Sequence, residues 1–173
     1  MPGAMEEQFS FKCTTCGEIH LGLPDLAFDS PFYYHDMAAA QRSLDTELTS
    51  DTCVIAREDF FVRGCLEIPI HGRAELFGYG VWVSLSPKNF GRYQELFESR
   101  DRFDEPPYFG WLSNRLPGYP DTLGMKTNVY LRPYPLRPRI ELEPTDHPLS
   151  VEQREGITIQ RLQEILEANA HAA

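Results

Sequence analysis

The chain has 173 residues, with 26 acidic against 16 basic side chains and a formal net charge of −10. A surface that acidic repels phosphates, so nucleic acid and anionic membranes are not expected partners, whereas a basic protein partner is compatible with it. An apolar fraction of 42% with 12% aromatics is too rich for disorder and sufficient for one packed core.

No apolar run approaches the ~20 residues of a membrane span, and the opening MPGAMEEQ lacks the basic and apolar stretches of a secretory leader. Four cysteines in such a chain fit a reducing, cytoplasmic setting. There a close cysteine pair points to metal or redox chemistry rather than to a structural disulfide.

Residues 1–8 read as a disordered N-terminus and 9–173 as a single domain. FSFKC (9–13) alternates aromatic and polar side chains, which predicts a short strand. CTTCGEIHLGL then reads as a tight knuckle with a return strand, and 22–35 as a packed loop interrupted by Pro24 and Pro31. DMAAAQRSLDTEL (36–48) is rich in helix formers, with Asp36 as N-cap.

TCVIA (52–56), FFVRGCLEIPI (60–70) and ELFGYGVWVSLS (75–86) are β-branched and aromatic, separated by short turns, and predict an antiparallel meander. Gly78 and Gly80 within the third segment mark a bulge or a close backbone approach. A helix follows, capped by Ser86 with Pro87 at its first position, where a missing N–H costs nothing. Phe90, Tyr93, Leu96 and Phe97 fall on one of its faces.

A polar stretch leads to YFGWLSNRL (108–116), the turn PGYPDT precedes LGMKTNVYLRP (123–133), and after a proline-broken link RIELEP (139–144) is another strand candidate. Ser150 and Gln153 have capping-box spacing, Gly156 suits a helix end, and Thr158 caps a last helix striped by Ile159, Leu162, Ile165 and Leu166. The expected fold is α+β: a mainly antiparallel sheet of about four to six strands with helices on one side and an N-terminal zinc-knuckle-like hairpin.

The sharpest local motif is Cys13-Thr-Thr-Cys16-Gly17. Two cysteines separated by two residues can turn both thiolates onto one ion, and a glycine just after them can take the positive φ that closes the knuckle. His20 follows from the return strand, and Cys53 is the choice for a fourth ligand, ahead of Cys65 and His35. Four protein ligands close a tetrahedral zinc shell and make the metal structural; three leave a position for water and open a catalytic role.

A lone CxxC is also compatible with packed thiols or a redox pair, but no helix opens after it as a thioredoxin-type motif requires. Asp146-His147 sets an acid beside an imidazole, although Asp146 serves equally as a turn residue before Pro148. Trp82, Trp111, Asn114 and Tyr119 with Arg63 form an aromatic set that either lines a cleft or packs as core. Phosphate loops, nucleophile elbows and H-E-x-x-H are missing from the sequence.

In order, CxxCGEIHLGLP, SDTCVI, FFVRGCLEIPI, FGYGVWVSLSPKNF, YFGWLSNRLPGYPDTLGMKT and LEPTDHPLSVEQREGIT resemble the bacterial family catalogued as domain of unknown function 2199. The resemblance runs from about residue 9 to the last helix. It implies a single bacterial, cytoplasmic domain and brings no activity, substrate or site residue. The residues themselves point first to a zinc-stabilised binding or interaction module. The rival readings are a hydrolase-type enzyme, using the aromatic cleft with His147 or an open metal site, and an acidic immunity-type protein that neutralises a basic partner.

Overall fold

The computed structural model describes residues 8–23, 26–42 and 45–170. The expected disordered N-terminus lies, apart from Gln8, outside the described residues. A small antiparallel hairpin, β1 (Ser10–Lys12) and β2 (Ile19–Leu21), opens the chain. It is followed by β3 (Leu26–Ala27) and two one-turn helices, α1 (Phe32–His35) and α2 (Ala39–Arg42). Next come β4 (Thr46–Leu48), β5 (Thr52–Ile55), β6 (Asp59–Pro69), β7 (Leu76–Leu85) and helix α3 (Pro87–Glu95). A 3₁₀ turn (Arg102–Asp104) leads to β8 (Tyr108–Leu112), β9 (Lys126–Tyr130), β10 (Arg139–Leu142), α4 (Pro148–Glu155) and α5 (Ile159–Ala170).

Strands β6 to β10 meander up and down, each antiparallel to the one before. The ring closes where β10 pairs in parallel with β6, Arg139 opposite Cys65 and Ile140 opposite Leu66. Parallel closure is a consequence of number: with five strands alternating in direction, the first and the last run the same way. The long strands lend their remaining edges to others. β5 pairs with the start of β6 and carries β4, and β3 pairs with β7 at Tyr79 and Gly80.

The expected mainly antiparallel sheet with helices on one side is therefore corrected to a closed mixed barrel with helices at both ends. Phe90 of α3 packs on Phe60 at the start of β6, ring centroids 5.0 Å apart. Past the other end of β6, Ile70 bridges to Ile157 between α4 and α5. Two glycines permit the close approach of the walls. A Cβ on Gly64 would strike Ile140 and the Pro138 carbonyl, and one on Gly110 would strike Val83 and the Ser84 carbonyl.

Inward residues of the barrel, among them Leu66, Ile68, Phe77, Val81, Val83, Leu112, Val129 and Ile140, form one apolar core with Leu149, Leu162, Ile165 and Leu166 of the last two helices. Phe9, Phe11 and Cys13 of the hairpin belong to the same core. On the outside of the wall Cys53, Ile55, Phe61 and Trp82 make a second cluster, covered by Phe28, Tyr34 and Met37. Trp82 is pinned there: its backbone N–H donates to Asn114 Oδ1 (2.7 Å) and its indole N–H to the Phe28 carbonyl (2.9 Å).

Local expectations fare unevenly. Ser86 Oγ accepts from Asn89 N (3.1 Å) above Pro87, Thr158 Oγ1 accepts from Arg161 N (3.1 Å), and Gly156 ends α4 at φ +80°. Of the helix expected over 36–48, the described residues show α2, while Thr46–Leu48 pair with β5 instead; strand pairing overrides helix propensity there. The capping box at Ser150 is also corrected. His147 Nδ1 caps α4 by accepting from Leu149 N (3.2 Å), while Ser150 is buried one turn in and donates to the Glu143 carbonyl (2.9 Å). Among the described residues no helix is long and apolar enough to cross a membrane.

Candidate metal centre

The knuckle is built by two backbone bonds. Cys13 N donates to the Glu18 carbonyl and Gly17 N to the Cys13 carbonyl, both at 2.9 Å, and Gly17 takes φ +77°. A Cβ there would meet nothing within 4 Å, so glycine serves the left-handed conformation rather than space. The turn folds Cys16 back towards Cys13, and β2 brings His20 alongside.

The donor atoms of Cys13, Cys16 and His20 all lie within 4.8 Å of one another. Cys16 Sγ sits 3.4 Å from His20 Nε2. Tetrahedral zinc with sulfur at about 2.3 Å and nitrogen at about 2.05 Å sets a sulfur–nitrogen edge of about 3.6 Å, close to that separation. The imidazole plane is held by Phe11, stacked at 5.2 Å and 16°. Cys13 is buried, His20 half-buried and Cys16 exposed, so the centre straddles core and surface.

The last helix clamps this corner. Thr14 N and Thr14 Oγ1 donate to the two carboxylate oxygens of Glu167, each at 2.9 Å, and Gln163 Nε2 donates to the Lys12 carbonyl at 3.1 Å. Sequence reasoning missed both helix residues. With Thr14 and Glu167 separated by 153 positions, no local pattern announces them.

Cys53 does not join the group. It lies on β5, fully buried in the Trp82 cluster, where burial pushes its thiol up to about 12 and keeps it protonated. Cys65 sits within β6, its N–H donating to the Pro138 carbonyl, and His35 ends α1 on the surface. Among the described residues, the only such donors gathered here are Cys13, Cys16 and His20.

Of the other sequence candidates, Trp82, Asn114 and Arg63 are brought together as packed wall, and the rest lie apart. His147 is engaged as helix cap, with Nε2 3.1 Å from the Pro120 carbonyl, and Asp146 is exposed beside it. Trp111 lies exposed, edge-on to Phe109. Tyr119 donates to Glu152 beneath Arg161, whose guanidinium lies 5.2 Å from the ring centroid. Arg63 stacks on Trp82 at 5.8 Å and donates to the Ser50 carbonyl.

Barrel, clamped hairpin and Cys–Cys–His group define an α+β domain with a site able to hold a metal. Residues 12–157 match the family described as an uncharacterized protein conserved in bacteria, domain of unknown function 2199, and the chain belongs to that family. No curated protein and no solved structure matches it.

Proposed function

We propose that this protein is a zinc-stabilised binding module of the bacterial cytoplasm, in which the metal, held by Cys13, Cys16 and His20 with its fourth position left to water, is structural because it pins a hairpin too small to order itself. The observation that carries the reading is the convergence of Cys13, Cys16 and His20 on one short hairpin. Two sulfurs and an imidazole nitrogen are the donor set that borderline-soft zinc prefers. Two three-residue strands are below the size of an independently stable hairpin. Zinc would supply the missing free energy, because metal binding to a site that exists only when folded adds to folding stability. It would fasten the knuckle to the barrel through Phe11 and to α5 through Thr14. An acidic exterior suits a basic protein partner and disfavours nucleic acid and membranes.

Elemental analysis of protein purified without chelators tests the reading, with about one zinc per chain expected. A metal-free preparation that is fully folded and does not take up zinc refutes it.

A second reading, an enzyme with an open metal position, is favoured by one feature. A cavity of about 280 Å³ lies beside His20, walled by Phe11, Leu23 and Leu166. Zinc held by three protein ligands activates water. Hydrolysis of generic esters by the zinc-loaded protein, lost in Cys16→Ser without loss of stability, would favour this reading over the first.

A further inference from the structure

The geometry points to a second site, a slot between α3, the Arg102 turn and the β9–β10 connection, that binds a small oxyanion, carboxylate or phosphate, carried on a planar group. Arg102 is 3% exposed. Its guanidinium donates to the carbonyls of Phe97 (2.6 Å), Arg132 (2.5 Å) and Leu136 (2.6 Å). Carbonyls carry dipoles but no net charge. Among the described residues no carboxylate forms an ion pair with Arg102, whereas the nearby Arg132 and Arg137 pair with Glu67 and Asp51. A buried cation without a counter-ion is costly. Of its five N–H donors, the three carbonyl bonds leave two.

A cavity of about 170 Å³ is lined by Arg102 together with Arg137, Asp51, Tyr93, Phe97 and Tyr134. The charged lining is two cations against one anion, a locally positive spot on a chain of net charge −10. Guanidinium forks match the oxygens of a carboxylate or phosphate. The wall is aromatic: Phe97 meets Tyr134 edge to face at 6.1 Å and Tyr93 at 5.8 Å. Such rings receive a planar substituent. Asp51, whose Oδ1 accepts from Arg137 Nε at 2.9 Å, is the competitor that an incoming anion must face.

Calorimetric titration of the full chain with phenyl phosphate, benzoate and benzyl alcohol tests the site. Both anions should bind, and the neutral alcohol should not. Losing a charge-assisted hydrogen bond in Arg137→Gln should weaken anion binding roughly ten- to hundredfold. Asp51→Asn, which removes the competing carboxylate and keeps both guanidiniums, should tighten it about fivefold. Damage to the fold would weaken binding in both variants, so the opposite signs separate recognition from structure. Binding of only one anion supports the site and names its head group. No anion binding, benzyl alcohol binding as tightly as the anions, or weaker binding by Asp51→Asn overturns it.

Discussion

Replacing Cys16 with serine separates coordination from packing. Cys13 is 1% exposed and belongs to the core, so serine there would bury a hydroxyl at a cost of about 1–3 kcal/mol with or without metal. Cys16 is exposed, and its replacement in metal-free protein should change stability by no more than about 0.5 kcal/mol. Free zinc at about 100 to 1,000 times its dissociation constant stabilises the folded state by about 2.7 to 4.1 kcal/mol. A domain of this size shifts its melting temperature by about 2–4 °C per kcal/mol, so zinc-loaded wild type should melt about 5–15 °C above the stripped protein. Cys16→Ser should melt with stripped wild type and show little response to zinc. The assay is calorimetric melting of both proteins, stripped with EDTA, dialysed and then titrated with zinc. Coincident wild-type melts with and without zinc, or a variant that keeps the full zinc shift, would refute the reasoning.

Alkylation followed by mass spectrometry should modify Cys16 readily in stripped protein and slowly in zinc-loaded protein. The buried Cys53 thiol, held up near about 12, should react only on unfolding. Gly110→Ala should cost about 1–3 kcal/mol in denaturant unfolding, because the added methyl meets Val83 and the Ser84 carbonyl across the barrel wall; an unchanged midpoint would show that β8 and β7 separate freely. At Asp51, burial pushes the carboxyl up, but hydrogen bonds from Arg137 and Ser50 with the Arg137 charge pull it further down, to a net value below its ordinary one. A depressed value adds stability above the ordinary carboxylate range, lost as pH falls through the folded-state value. Wild type should therefore outlast Asp51→Asn near neutrality and converge with it in acid, below about pH 4; a constant difference across pH would count against this pair. Gel shifts at physiological salt should detect no binding of duplex or single-stranded nucleic acid, given the net charge of −10.

Much of the candidate site was legible because it is local. Cys13, Cys16, Gly17 and His20 span eight residues, and a CxxCG turn with a returning strand dictates where its side chains meet. Ser86 with Pro87, Gly156 and Thr158 were readable for the same reason, since a cap is settled by neighbours within one turn. β-Branched and aromatic runs between short turns likewise announced β5, β6 and β7. Such a run marks a strand; it does not state which strand lies alongside. The parallel seam between β6 and β10, and Gly64 that admits it, therefore belong to the tertiary structure. So does the fate of Cys53: its position on β5 is local, but its burial against Trp82, away from the knuckle, follows from how β5 joins the barrel. Glu167 clamping Thr14, and Arg102 beside Arg137 at an aromatic slot, depend on contacts across long stretches of chain. Those contacts form only once burial of the common core brings distant segments together, and for that reason no short-range pattern records them.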